Sequence, residues 1–126
     1  MAKKVLIVED SESVGEALRM LIEFEGYQVI VAVTASSGRI MATAAQPDLI
    51  IMDVRLPDFS GIELTRELRT LPELSRTPIL CVSSYVEDFE TEARTAGCND
   101  VFSKADFIES FRPTLKKYLG EDRLRH

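Results

Sequence analysis

Leu49-Ile50-Ile51-Met52-Asp53 reads as one β-strand, and the rest of the chain is organised around it. Four consecutive apolar residues leave no polar face, so the strand is covered on both sides, as strands of parallel sheets are. A bare carboxylate inside such a strand costs too much to bury. At the strand's carboxyl end it is tolerated, because open α/β sheets place their ligand crevices there. Val5-Leu6-Ile7-Val8 repeats the pattern and runs into Glu9-Asp10. Three carboxylates delivered to one edge of one sheet repel unless a cation joins them. This outlines a divalent-metal site around Asp53.

The bulk composition narrows the class. The chain has 126 residues, 45% of them hydrophobic, which suits one domain with one core. That domain is read as 1–126, with a core over about 4–119 and a polar tail at 120–126. A formal charge of −6 argues against a nucleic-acid-binding surface. No apolar stretch reaches the ~20 residues needed to span a bilayer. Met1-Ala2-Lys3-Lys4 leads straight into a strand with no signal-peptide pattern, so a cytoplasmic location is expected. Cys81 lies in an apolar run and reads as a small core residue, whereas Cys98 follows Gly97 in a loop. Two cysteines and the terminal His126 make a poor zinc set, and reduced thiols are expected.

Apolar strands alternate with helical patterns five times. The expected strands are Lys4 to Glu9, Tyr27 to Ala32, Asp48 to Asp53, Pro78 to Ser83 and Asp100 to Ser103. The first helix carries Val14, Ala17, Leu18, Leu21 and Ile22 on one face, with Ser13 and Glu16 spaced as a capping box and Gly26 at its exit. The second runs from Ser36 to Ala45 and stops before Pro47. The third starts with a second candidate box, Ser60 and Glu63, and ends near Leu71. The fourth covers Glu87 to Ala96. The last lies within Asp106 to Leu119, where Pro113 predicts a kink or a restart. This alternation implies an α/β fold, a doubly wound parallel sheet with helices on both faces and right-handed connections.

The polar residues of interest sit where strands end: Glu9 and Asp10, Asp53, Ser83 with Ser84, and Lys104. Oxygen-only ligands favour a hard cation such as Mg²⁺. A carboxylate can act as a nucleophile toward phosphorus, as in aspartyl-phosphate chemistry. Lys104 and the Ser83 hydroxyl are then suited to holding phosphoryl oxygens. Singly, the same residues have plainer readings: an acidic pair near a helix start, a solvated lysine, a strand-end hydroxyl. Asp58 reads as a turn residue, and Phe107 with Phe111 as core.

Val8-Glu9-Asp10, Met52-Asp53-Val54-Arg55-Leu56-Pro57-Asp58-Phe59-Ser60-Gly61, Val82-Ser83-Ser84 and Gly97-Cys98-Asn99-Asp100-Val101-Phe102-Ser103-Lys104 together resemble the receiver domain of bacterial two-component response regulators. The likeness extends over about Lys4 to Leu119 and implies either a stand-alone, chemotaxis-regulator-like member or the receiver of a longer protein. It implies a flavodoxin-like (βα)5 fold with strand order 2-1-3-4-5. It implies that Asp53 accepts a phosphoryl group from a histidine kinase or a histidine phosphotransfer protein. Asp10 and Asp53 would be side-chain Mg²⁺ ligands, with Glu9 acting largely through water and the Arg55 backbone carbonyl as a further ligand. Ser83 falls at the Ser/Thr switch position and Lys104 at the family's lysine. A downstream effector is expected on the surface of helix four, strand five and helix five. The resemblance implies no turnover beyond self-phosphorylation and self-dephosphorylation, and a monomer or a phosphorylation-dependent dimer.

Two positions depart from the pattern. Ala105 follows Lys104 where the family has proline, so a trans bond is expected there. Val101 stands where an aromatic switch is usual, with Phe102 on the opposite face of a regular strand. The signal is therefore expected to leave the site through the backbone and helix four. The resemblance implies that Arg55 and Tyr85, at positions that flank the path of attacking water in the family, shield the phosphoryl group and slow its loss. The rival to the phosphorelay is a degenerate pseudo-receiver that binds proteins regardless of phosphorylation. A flavodoxin-like cofactor binder is disfavoured by the acidic Glu9-Asp10-Ser11-Glu12 loop. A haloacid-dehalogenase-type phosphatase is disfavoured by Arg55, where a second aspartate is needed.

Overall fold

A computed structural model describes residues 2–84 and 89–120. The elements are β1 (Lys4–Val8), α1 (Glu12–Phe24), β2 (Gln28–Ala32), α2 (Ala35–Ala45), β3 (Leu49–Asp53), α3 (Gly61–Arg69), β4 (Ile79–Ser83), α4 (Glu90–Ala96), β5 (Asp100–Ser103) and α5 (Lys104–Leu119). A short 3₁₀ turn, Pro72–Leu74, follows α3. The strands form one sheet in the order β2-β1-β3-β4-β5, with every neighbouring pair parallel. This is the doubly wound order expected.

Side-chain alternation divides the strands between two cores. Leu6, Val8, Ile50, Met52, Ile79 and Cys81 face Ala35 and Ala42 of α2, Ile62, Leu64 and Leu68 of α3, and Ala93 and Ala96 of α4. Val5, Ile7, Leu49, Ile51, Leu80 and Val82 face Leu18 and Ile22 of α1 and Phe107, Phe111, Leu115 and Leu119 of α5. β3 and β4 are buried along their whole length, which is why their sequences show no polar alternation. Each fully buried Ile or Leu contributes about 1.5–3 kcal/mol relative to exposure, so these runs dominate the fold. Register aligns the strand ends. Val8 lies beside Ala32 and Met52, Asp53 beside Val82, and Ser83 beside Ser103.

Several local expectations are corrected. Ser11, not Ser13, caps α1 and accepts from the Val14 N–H at 3.3 Å; Ser13 instead lies 3.3 Å from the Ser11 hydroxyl. Gly26 takes the positive φ of 101° that ends this helix, as its position suggests. α2 starts one residue earlier than expected, with a reciprocal box between Thr34 and Ser37. Ser60 caps α3, but Glu63 pairs with Arg66 instead of closing a box. α3 ends at Arg69, because Leu71 precedes Pro72 and is held extended. The expected start of α4 at Glu87 lies outside the described residues.

Pro113 causes no restart: α5 is one helix with the proline inside it. The ring removes the N–H that would bond the Glu109 carbonyl. Burial of Phe107, Phe111, Leu115 and Leu119 on one face holds the helix across that gap. The helix also begins at Lys104, two residues before the expected start, with Ser103 as its cap accepting from the Asp106 N–H at 3.0 Å. Strand and helix thus meet without a loop. Cys98 lies in the loop between α4 and β5, as its position after Gly97 suggests, yet it is buried like Cys81, and both are free thiols.

Candidate functional site

The site lies on the carboxyl edge of the sheet, where the register places four strand ends together. Glu9 directly follows β1, and its N–H donates to the Ala32 carbonyl at 2.9 Å, so the ladder continues through it. Asp53 is the last residue of β3, Ser83 of β4, and Lys104 is the first of α5. Glu9, Asp53 and Ser83 are 1%, 4% and 2% exposed, whereas Asp10 is open to solvent. Carboxylates this deeply buried require compensation.

Lys104 supplies part of it. Its Nζ lies 3.2 Å from Glu9 Oε1 and 3.4 Å from Asp53 Oδ2. Burial disfavours the lysine charge, but the Asp53 and Glu9 carboxylates outweigh it and raise the Lys104 pKa. The Ser11 N–H donates to Glu9 Oε2 at 3.1 Å, and the Arg55 N–H to Asp53 Oδ1 at 3.1 Å. One ammonium does not balance three carboxylates. Burial, and then the negative charge of Asp53, push the Glu9 pKa from 4.5 up to about 7.

The donor set fits a hard divalent cation. Glu9, Asp10 and Asp53 each offer a carboxylate oxygen within 4.8 Å of the others. Glu9 Oε1 is fully buried and accepts no hydrogen bond. A buried carboxyl oxygen that makes no hydrogen bond and has only the Lys104 ammonium beside it at 3.2 Å, facing two further carboxylates, is suited to a cation or its bound water. All-oxygen ligands with few carboxylates suit Mg²⁺.

The loop after β3 is tightly fixed. Arg55 and Ser60 form an isolated antiparallel bridge, and the Gly61 N–H donates to the Val54 carbonyl at 2.8 Å. A Cβ on Gly61 would stand 2.0 Å from the Asp53 carbonyl oxygen, so only glycine lets α3 begin against the Asp53 backbone. Asp58 is more than a turn residue. Its carboxylate accepts the Ala35 and Ser36 N–H groups at 2.8 and 3.1 Å, joining the loop to the start of α2. Those two bonds, the Ala35 one foremost, lower its pKa. Nothing local in the sequence marked this contact, because the partners are 23 and 22 residues apart.

The two departures have clear structural consequences. Val101 packs into the core shared by α2, α3 and α4. Phe102 points the other way, edge-on to Phe107 with centroids 5.7 Å apart. No aromatic of β5 therefore occupies the Val101 face. The described residues contain no cis peptide, so Lys104–Ala105 is trans. Ala105 lines an apolar cavity of about 320 Å³ between α1 and α5, together with Glu9 and Lys104. Tyr85 lies outside the described residues. The Arg55 guanidinium sits 5.2 Å over the Phe89 ring at the start of α4, a contact the sequence did not indicate.

Residues 5–112 match the family model described as the response regulator receiver domain. The polar-differentiation response regulator DivK of Brucella ovis is 37% identical over 122 residues, covering 96% of this chain and 99% of the relative. The Vibrio cholerae chemotaxis protein CheY4 has a structure similar to this one, with a TM-score of 0.87 and 28% identity, covering 94% of this chain and all (100%) of that one. The receiver domain of the sensor histidine kinase PA1611 from Pseudomonas aeruginosa also superposes with a TM-score of 0.87, at 25% identity and 95% and 99% coverage. That structure has a magnesium ion coordinated in its active-site cleft. Among the described residues no helix is long and apolar enough to cross a membrane.

Proposed function

The chain belongs to the response regulator receiver family of two-component signalling, and from that premise we propose that Asp53 is its phosphoacceptor. The carrying observation is the cluster of Glu9, Asp10 and Asp53 with Lys104 Nζ at 3.4 Å from Asp53 Oδ2. The donor is a phosphohistidine of a kinase or phosphotransfer protein. Its P–N bond breaks as the Asp53 carboxylate forms an O–P bond, and hydrolysis later returns inorganic phosphate.

Asp10 and Asp53 would hold Mg²⁺, with Glu9 acting through bound water and the Arg55 carbonyl as a further ligand. Bound there, the ion would neutralise charge on the phosphoryl oxygens. This chain's own residues do the rest. Lys104 is already aimed at Asp53 and orients a second phosphoryl oxygen. Ser83, buried at the end of β4, donates its hydroxyl to a third. The low exposure of Asp53 restricts attacking water, and Arg55 and Tyr85 extend that shielding. The protein catalyses no reaction on an outside substrate. It works in the cytoplasm, as a monomer or a phosphorylation-dependent dimer. The surface of α4, β5 and α5 carries the output to an effector.

The test is incubation with acetyl phosphate and Mg²⁺, followed by intact-mass measurement. A gain of about 80 Da, the mass of one phosphoryl unit, is expected for the wild type and not for Asp53→Asn. An unmodified wild type would support the pseudo-receiver instead.

A further inference from the structure

With Val101 in place of an aromatic, β5 has no ring to report the state of Ser83, yet a different aromatic contact joins the site to a helix. Arg55 belongs to the loop leaving Asp53, and its own N–H is bonded to Asp53 Oδ1 at 3.1 Å. Its guanidinium lies 5.2 Å from the centroid of the Phe89 ring. Phe89 is the residue that opens α4; its backbone carbonyl accepts the Ala93 N–H at 2.8 Å, and its ring packs on the core beneath that helix. The helix start has no side-chain cap, and this ring is one of the contacts that hold its first turn on the core. Arg55, Leu56, Phe59, Phe89 and Glu92 share one groove between the loop and α4.

We infer that Arg55 is a positioning residue that couples Asp53 to α4, resting on Phe89 while Asp53 is bare and turning to the phosphoryl group when Asp53 carries one. The inference rests on the phosphoacceptor reading above. The Phe89 ring and a phosphoryl group differ in how strongly they hold Arg55. A cation over a ring face makes one contact without a hydrogen bond, whereas a guanidinium binds phosphate oxygens through two parallel charge-assisted bonds. Arg55 stands two residues from the atom that gains the charge, so the stronger partner arrives within reach of its long side chain. When Arg55 leaves, the first turn of α4 loses one of its contacts and the output surface changes at its edge. A side chain thus carries the signal along the outside of the sheet, in a chain whose interior route through β5 lacks its ring.

The test is amide NMR of the full chain with Mg²⁺, before and after addition of beryllofluoride as the phosphoryl mimic. Wild type is expected to shift at Ser83 and Lys104 and also at Glu90–Ala93. In Phe89→Leu, which keeps bulk and loses the ring face, the Glu90–Ala93 response should fall by about half or more, with Ser83 and Lys104 responding as before. Phe89→Tyr should restore it, and Arg55→Gln should lose it. An undiminished α4 response in Phe89→Leu, or a Phe89→Tyr that behaves like Phe89→Leu, overturns the coupling alone. No shift at Ser83 and Lys104 in the wild type overturns the phosphoacceptor reading as well.

Discussion

Replacing Glu9 by glutamine should stabilise the metal-free protein at pH 8. Glu9 is 1% exposed, and burial followed by the nearby Asp53 charge raises its pKa from 4.5 to about 7. The folded state therefore holds a proton that the unfolded chain releases near pH 4.5. Stability is full below that value and falls as pH rises to about 7, where the folded carboxyl ionises. At about 1.4 kcal/mol per pH unit, the loss amounts to roughly 3 kcal/mol by pH 8. Glutamine keeps the shape and an acceptor for the Ser11 N–H, and Lys104 keeps Asp53 at 3.4 Å. Urea unfolding in EDTA at pH 5 and pH 8 measures the difference. The wild type should lose a few kcal/mol between the two, and Glu9→Gln should lose much less. Excess Mg²⁺ should recover most of the loss in the wild type, since a ligand at a hundred times its Kd adds about 2.7 kcal/mol. A wild type as stable at pH 8 as at pH 5, or a variant that follows it, would refute the account of Glu9 as a strained buried carboxyl.

Other substitutions probe the surrounding frame. Gly61→Ala forces a methyl within 2.0 Å of the Asp53 carbonyl and should destabilise by about 1–3 kcal/mol in urea, with slowed phosphorylation by acetyl phosphate. Lys104→Met leaves two buried carboxylates without their ammonium; its melting temperature in EDTA should fall, and Mg²⁺ should restore more of it than in the wild type. Arg69→Met removes donors from the carbonyls of Leu74, Thr77 and Gly97 and from Asn99, and should cost about 2–4 kcal/mol by chemical denaturation. Asp58→Ala should speed hydrogen exchange at the Ala35 and Ser36 amides while leaving α5 protected.

Much of the fold was legible because its signals are local. Runs such as Ile50-Ile51-Met52 have no polar side to turn outward, so a doubly covered strand was the only economical use of them. The capping of α1 was misplaced because Ser11 and Ser13 are both acceptable caps, and only the path of the chain leaving β1 selects Ser11. The continuity of α5 through Pro113 was hidden for a related reason. A proline penalty is visible in the sequence, while the four buried apolar residues that offset it take effect only against the sheet.

The site divides the same way. Strand-end position alone identified Glu9, Asp10, Asp53, Ser83 and Lys104, since in a parallel sheet every carboxyl end shares one edge. Their energetics did not follow from position. Lys104 meets Glu9 across 95 residues and Asp53 across 51, and the Glu9 oxygen that makes no hydrogen bond is so placed only by burial in the folded chain. Arg55 over Phe89 and Asp58 on α2 likewise join separate elements. By itself the sequence determined which residues reach the edge, because side-chain alternation and apolar runs act between near neighbours. The tertiary structure decided which charges stay solvated, which are paired and which turn is anchored to which helix, because electrostatics and packing depend on distances that only the closed sheet sets.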